Sequence, residues 1–427
     1  MRVLNVFIEI LGQKKYVGKI IENDRLEASF SYDEIYLKDS NSRPISLSLP
    51  LRKEPYSAAQ TKNFFEGLLP EGFTRKCVAE RMHKDEYDYL SILAGLGSEC
   101  LGAIQILEDG KAELQSEYQK LTEEEVLRFA REGASESAEL VTKAHLSLTG
   151  ASGKVGLYYD EKNAEWFLPI GAAPSTHIVK QSHVRLGKIV ANEQLCLLTA
   201  KNMGISVPES FIVKTGDPQE ESVLFATKRY DRKMGLQKEL AGKETPYRLH
   251  QEDFAQALGM ESSMKYEKNG AHYLKKMFEL IQMYSSDPIG DQLRLWDICI
   301  FNYLVGNTDN HIKNVSILYS EDLKSLKLAP AYDIVSTMIY DSCTDQMALS
   351  IGGMYSIYQI SRECFEREAK ALGLGSGIVM QRFDAMVLKF RAALDEACVQ
   401  LKASGFYYVD EIRQSILLKG GIRSCIF

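Results

Sequence analysis

The sequence contains no uninterrupted apolar run of the roughly 18 residues that a membrane span requires. Its opening stretch, Met1-Arg2-Val3-Leu4-Asn5-Val6, runs into Glu9 before an apolar core of leader-peptide length can form, so a secretory signal is not expected. Positive charge is not in excess either. The 51 Lys and Arg stand against 58 Asp and Glu, a formal net charge of −7, which gives bulk electrostatics no reason to hold nucleic acid tightly. A local basic patch or a partner protein would have to supply any DNA contact. The eight cysteines (77, 100, 196, 299, 343, 364, 398 and 425) include no Cys-x-x-Cys pair. That excludes a zinc ribbon and offers no disulfide framework, so reduced, mostly buried thiols are expected. These absences describe a cytoplasmic protein with no membrane partner.

What is present is a globular composition, 45% hydrophobic and 26% charged, in a chain of 427 residues. That length calls for roughly two to three domains or lobes. Residues 1–110 read as a small α/β unit, with strands at Val3–Ile10, Lys15–Ile21, Ala28–Tyr32 and Leu101–Leu107. A helix over Ala58–Leu69 must stop at Pro70. Residues 111–230 open with a polar stretch, Glu113–Glu139, whose composition predicts a solvated linker helix. Strands follow at Leu146–Leu148, Val155–Tyr159, Glu165–Pro169, His177–Lys180 and Val223–Arg229, around a helix Val190–Met203 ended by Gly204. Residues 231–427 read as a helical lobe from Gln251 onward, including Leu293–Val305 and Gly377–Lys402. A strand-rich lobe followed by a helical one predicts a ligand-binding cleft.

The densest polar cluster follows the apolar helix that ends at Gly306: Asn307-Thr308-Asp309-Asn310-His311-Ile312-Lys313-Asn314. Asp309 and Asn314 keep the Asp-x-x-x-x-Asn spacing of a kinase catalytic loop. There a carboxylate orients or accepts the substrate hydroxyl proton, and an amide oxygen ligates Mg²⁺ on the phosphates. A surface loop rich in turn-forming residues is the plain alternative. Downstream, Asp333 lies just past a short strand at Leu326–Ala329, which suits a second Mg²⁺ ligand or a simple strand-ending turn.

Upstream, Leu146–Lys154 is a loop of small residues that would let backbone N–H groups approach phosphate. It is not a Walker A loop, which needs glycine at Leu148 and Ser or Thr at Val155. A hairpin turn explains it equally well. Lys180 ends an apolar strand and Glu193 sits in the following helix, as the paired lysine and glutamate of kinases do. Each signal is weak alone; their order along the chain is that of a kinase.

At this point the sequence resembles the HipA family, bacterial toxin kinases paired with a HipB antitoxin. The resemblance covers nearly the whole chain. It rests on Ser46–Leu51, Phe64–Pro70 and Gly97–Gly102 in the N-terminal part, and on Ser147–Lys154, Pro174–Lys180, Arg229-Tyr230-Asp231, Asp309–Asn314 and Tyr332-Asp333-Ile334 in the kinase core. It implies an α+β HipA-like kinase fold: an N-terminal α/β subdomain, a strand-rich N-lobe and an all-helical C-terminal lobe. ATP and Mg²⁺ would be the cofactors.

By position, Asp309 would be catalytic, and Asn314 and Asp333 would hold Mg²⁺. Thr149, Gly150, Ala151, Ser152, Gly153 and Lys154 would form the phosphate loop, with Lys180 on the α/β-phosphates and Glu193 supporting it. Lys228, Arg229 and Tyr230 would be the adenine hinge, acting largely through backbone groups. His311, Lys313 and Tyr332 would line the nucleotide site, and Ser147 would be autophosphorylated. The implied partners are a HipB-like DNA-binding dimer and an aminoacyl-tRNA synthetase substrate, glutamyl-tRNA synthetase first among them. DNA would be met only through or alongside the antitoxin. The implied outcome is halted translation and persistence.

The chain departs from ordinary protein kinases in having no His-Arg-Asp, no Asp-Phe-Gly and no Gly-x-Gly-x-x-Gly. All three departures resemble the HipA pattern. Two other readings stay open: a small-molecule phosphotransferase, and a catalytically silent, antitoxin-binding co-repressor.

Overall fold

The computed structural model describes residues 2–24, 27–112, 115–132, 134–144, 153–181, 186–215, 222–236 and 238–426. Strand Val3–Ile10 buries Leu4, Val6 and Ile8 on one face, the period-two pattern of a half-covered sheet. It turns back through Leu11 (φ +50°) and Gly12 (φ +73°). Positive φ at both positions is what a two-residue hairpin matched to strand twist demands. The sheet runs in the order Glu27–Tyr32, Gln13–Asp24, Val3–Ile10, Ile104–Glu108, so the four strands read from the sequence share one sheet. The helix expected at Ala58–Leu69 is Ala58–Phe65, started by a Ser57–Gln60 capping box, and passes into a 3-10 turn at Glu66–Leu68. Helices Gly72–Arg81 and Tyr89–Leu96 follow, where the sequence reading names no element.

The polar segment after residue 112 is not a solvated linker helix. It holds a strand, Glu117–Lys120, and two helices, Glu123–Glu132 and Ala134–Ala144. Phe129, Ala130, Ala138, Leu140 and Val141 are buried, and the second helix packs against Gly72–Arg81. Charge on one face of an amphipathic pair outweighs, in composition, the few apolar residues that decide its burial.

Five strands of a second sheet run in the order Glu117–Lys120, Glu165–Ile170, Lys154–Asp160, His177–Gln181, Val223–Lys228, all antiparallel. The strand expected at Leu146–Leu148 lies outside the described residues. The C-terminal part contains the expected long helices as Pro288–Val305 and Ser376–Ala403, and the helix before it as Ile189–Asn202. It is not all helical, however. Strands Gln346–Ile351 and Met354–Ser356 pair within it, and short strands occupy Ser316–Tyr319 and Leu326–Leu328. Trp296 is buried there, its indole N–H donating to the Val379 carbonyl at 3.0 Å. Among the described residues no helix is long and apolar enough to cross a membrane.

The chain divides into two compact units. One comprises Met1–Arg185, Val213–Ser262 and Leu318–Ser325; the other comprises Leu186–Ile212, Ser263–Ile317 and Leu326–Phe427. The first unit is locked by a buried charge cluster. Glu99 accepts from Arg229 (3.3 Å), Arg232 (2.7 Å) and Arg248 (2.7 Å). Arg248 also donates to Glu9 at 3.0 Å, and Arg229 to Asp231 at 2.7 Å. All six residues are buried. Burial alone would raise the Glu99 carboxyl, but the guanidiniums of Arg232, Arg248 and Arg229 outweigh it and hold the group down at about 2.

Candidate active site

In the second unit, helix Pro288–Val305 starts at an Asp287 N-cap with Pro288 in its first turn and ends on Gly306 in the left-handed region (φ +77°). That exit aims the loop 307–314. Asn307 Nδ2 donates to Asn302 Oδ1 at 2.7 Å, fixing the first loop residue to the helix end. Thr337 Oγ1 sits at the centre of the next tie. It accepts from the Thr308 N–H (2.8 Å), donates to the Gly306 carbonyl (3.0 Å) and lies 2.7 Å from Thr308 Oγ1. The Thr308 hydroxyl in turn reaches the Thr344 carbonyl at 3.0 Å.

Asp309, exposed beyond these ties, has its N–H on Asn307 Oδ1 (3.2 Å) and its carboxylate on the Tyr266 hydroxyl (2.7 Å to Oδ1). Asn314 Nδ2 donates to the Asp309 carbonyl at 2.9 Å. The five-residue spacing therefore closes a compact loop in which the Asn314 amide nitrogen is engaged and its other end, Oδ1, is directed away from that bond.

The Tyr332 hydroxyl donates to the Lys313 carbonyl (3.1 Å) and lies 2.6 Å from Ser316 Oγ. This ties the segment carrying Asp333 to the segment carrying Asn314. Asp333 takes φ +57°, a left-handed conformation that is uncommon outside glycine, more accessible to aspartate than to most residues, and found in turns and at functional sites. The following turn is clamped by Asn192, whose amide contacts both the carbonyl (3.0 Å) and the N–H (3.2 Å) of Ser336. Glu193, next on that helix, is buried. His311 and Lys313 are also buried, and the His311 ring meets Tyr266 edge-on at 5.3 Å. An amide oxygen and a carboxylate are the hard donors that Mg²⁺ takes alongside substrate phosphates, so Asn314 and Asp333 fit that ion.

A cavity of about 490 Å³ in the first unit and one of about 580 Å³ in the second accompany these groups. The second is lined by Asp309, Tyr266, Thr308, Cys343, Met347 and Tyr355, among others. Burial, countered by Ser342 and aided by Asp309, pushes the Cys343 thiol up, so it is no thiolate nucleophile at neutral pH.

In the first unit, register places Lys154 directly opposite Lys180, with Phe225 on the other side of Lys180 in the next strand. Lys180 is buried, its ammonium 5.5 Å from the Phe225 ring centre. His177 opposite Lys228 falls on the other sheet face by alternation, and both line the 490 Å³ cavity. The Lys228 ammonium pairs with Glu161 at the surface. The Arg229 side chain is turned into the buried charge cluster, and its N–H donates to the Thr176 carbonyl (2.9 Å). The Tyr230 hydroxyl donates to Gln251. Ser147, Thr149, Gly150, Ala151 and Ser152 lie outside the described residues; Gly153 and Lys154 lead into the strand.

Sequence spacing alone does not find Tyr266, Thr337 or Glu99. Each acts through one side chain delivered from a distant segment, with no local motif to mark it.

This arrangement is a HipA-like kinase fold. The chain superposes on a chain of the Shewanella oneidensis MR-1 toxin–antitoxin complex of HipA, HipB and operator DNA with a TM-score of 0.79, at 22% identity, covering 99% of this chain and 98% of that one. The HipA N-terminal domain family matches residues 8–107, and the HipA-like C-terminal domain family matches residues 146–405. In sequence the chain is 31% identical over 423 residues to the Sinorhizobium fredii protein Y4mE, 97% of this chain and 95% of that one. It is 26% identical over 384 residues to the serine/threonine-protein kinase toxin HipA of Shewanella oneidensis, 86% and 84% of the two chains. The chain belongs to the HipA family.

Proposed function

We propose that this chain is an ATP- and Mg²⁺-dependent serine/threonine protein kinase and the toxin of a toxin–antitoxin pair. The observation that carries the reading is the Asp309–Asn314 loop, closed by the Asn314 amide nitrogen on the Asp309 carbonyl, with the Asp309 carboxylate at the wall of a cavity. Asp309 orients the acceptor serine hydroxyl and takes its proton as the new O–P bond forms. The bond from the γ-phosphorus to the β–γ bridging oxygen breaks, and ADP leaves with that oxygen. Asn314 and Asp333 hold Mg²⁺, which when bound neutralises charge on the phosphates. Lys180, supported by Glu193, holds the α/β-phosphates, and the 149–154 loop cradles the phosphate chain. Backbone groups of Lys228–Tyr230 receive adenine, while His311, Lys313 and Tyr332 line the same site.

Ser147 is the autophosphorylation site. A phosphate there adds about −1.5 to −2 charge beside a loop that serves phosphate, so it would repel ATP and switch the enzyme off. A HipB-like DNA-binding dimer is the partner, in keeping with the S. oneidensis complex. The acceptor is an aminoacyl-tRNA synthetase, glutamyl-tRNA synthetase in the first instance, whose modification would halt translation and favour persistence.

Incubation with [γ-³²P]ATP and Mg²⁺ and no added substrate tests the reading. Label is expected on Ser147 in the wild type and absent in Asp309→Asn, with ATP binding retained in both. A wild type that binds ATP yet takes no label, in itself or in a synthetase, would overturn it.

A further inference from the structure

Tyr266 is 46% exposed, yet its hydroxyl is committed to the Asp309 carboxylate at 2.7 Å. The loop that carries it is fixed on both sides. Before it, the Lys265 carbonyl accepts from the Ile312 N–H at 3.4 Å, a bond to the catalytic loop itself. After it, the Glu267 N–H donates to the Ala348 carbonyl (2.9 Å) and the Glu267 carboxylate accepts from the Ser350 N–H (2.7 Å). The Tyr273 hydroxyl holds the preceding Met264 carbonyl at 2.9 Å. The ring stands edge-on to His311 at 5.3 Å, and the Lys265 ammonium lies 5.4 Å from its centre. All of these groups belong to the second unit.

The Asp309 main chain is held by Asn307 and Asn314, and the Tyr266 hydroxyl acts on the carboxylate itself. A donor on Oδ1 restrains the plane of the carboxylate that takes the proton of an acceptor hydroxyl. A near-attack geometry depends on such fixing of the base. A tyrosine acting as a displaceable plug would need a loop that swings; this one is anchored at 265 and at 267. Its ring also walls the 580 Å³ cavity that opens on Asp309.

We propose that Tyr266 is a positioning residue of phosphoryl transfer, orienting the Asp309 carboxylate toward the acceptor and bounding the cavity through which the acceptor approaches. The proposal rests on the kinase reading above. Tyr266→Phe keeps the ring, the contact with His311 and the cavity wall, and removes only the hydroxyl. Self-labelling from [γ-³²P]ATP gives the rate at saturating ATP and the ATP concentration at half that rate; calorimetry and thermal melting give ATP affinity and Tm.

The Phe variant is expected to lose roughly ten- to hundredfold in saturating rate, as for a hydrogen bond to a charged group. Half-saturation, ATP affinity and Tm should stay at wild-type values, which a merely structural role would not allow. A saturating rate within twofold of wild type, a gain in rate, or a loss matched by weaker ATP binding or a lower Tm overturns the proposal. If wild type transfers phosphate and the Phe variant equals it, this inference alone falls. If wild type binds ATP and transfers nothing, the kinase reading falls and this inference with it.

Discussion

Glu99 and Arg229 form an ion pair with almost none of either side chain exposed, although 130 positions separate them. Glu9 and Glu99 come from the segment matched by the N-terminal family domain; Arg229, Asp231, Arg232 and Arg248 come from the C-terminal one. Two negative charges on one side thus meet three positive and one negative on the other. Neither segment balances its charge in this cluster alone, and the expected adenine hinge, Lys228–Tyr230, is tied into it through the Arg229 side chain.

Breaking one member of a buried charge cluster strands the others. Glu99→Gln should lower the unfolding free energy by about 3–5 kcal/mol, whereas Glu161→Gln, which removes the exposed partner of Lys228, should change it little. Urea denaturation at pH 7 measures both. Because the folded Glu99 carboxyl is held at about 2, below its ordinary value, its contribution is complete above that ordinary value and is lost as pH falls toward 2. Equal urea midpoints for Glu99→Gln and wild type would contradict the assignment.

Glu252 has the opposite sign. It is buried and accepts from Ser46 Oγ (2.6 Å), the Leu47 N–H (3.0 Å) and the Tyr319 hydroxyl. Burial nevertheless drives it up to about 7, against the pull of those three donors. The unfolded carboxyl ionises near 4.3. As pH rises between that value and 7 the unfolded state sheds a proton that the folded state keeps, so stability declines, by about 4 kcal/mol at most. Glu252→Gln retains hydrogen-bonding groups and cannot ionise. Wild type should lose more stability than the variant between pH 5 and pH 8; parallel losses would remove Glu252 as the cause.

Local signals in the sequence placed the elements that are periodic or punctuated. Val3–Ile10 alternates, and Gly306 ends an apolar helix. The Asp309–Asn314 spacing is a property of one loop, so it is legible without tertiary knowledge. Residues 115–144 misled because Glu123, Glu124 and Glu125 dominate composition, while Phe129, Leu140 and Val141 decide packing. The roles of Glu99, Tyr266 and Thr337 were not legible. Each depends on a contact spanning 29 positions or more, and chain spacing says nothing of such meetings. Arg229 was expected in the adenine hinge through its backbone; the use of its guanidinium, which faces the buried cluster, was not legible.

Thr337 supports the catalytic loop through one hydroxyl that accepts from Thr308 N–H and donates to the Gly306 carbonyl. Thr337→Val keeps the shape and leaves the Thr308 N–H unanswered in a buried place. A loss of about 1–3 kcal/mol is expected from such a group. Self-labelling should fall with it, because Asp309 follows Thr308 directly. Wild-type stability together with wild-type labelling in the variant would show that the hydroxyl bears no weight there.

Gly306→Ala tests the exit of the helix. At φ +77° an L-residue is disfavoured by roughly 1–2 kcal/mol. The added Cβ would also stand 3.0 Å from Met338 Cβ and 3.1 Å from Gly420 Cα, closer than ordinary contacts. The Gly306 carbonyl receives both the Thr337 hydroxyl and the Met338 N–H at 3.1 Å, so any relief of the clash moves the loop that holds Asp309. The variant should melt earlier, by roughly 2–3 kcal/mol of stability, and label more slowly at saturating ATP. Ala at this position with an unchanged melt and an unchanged rate would mean that the left-handed exit does not set the loop.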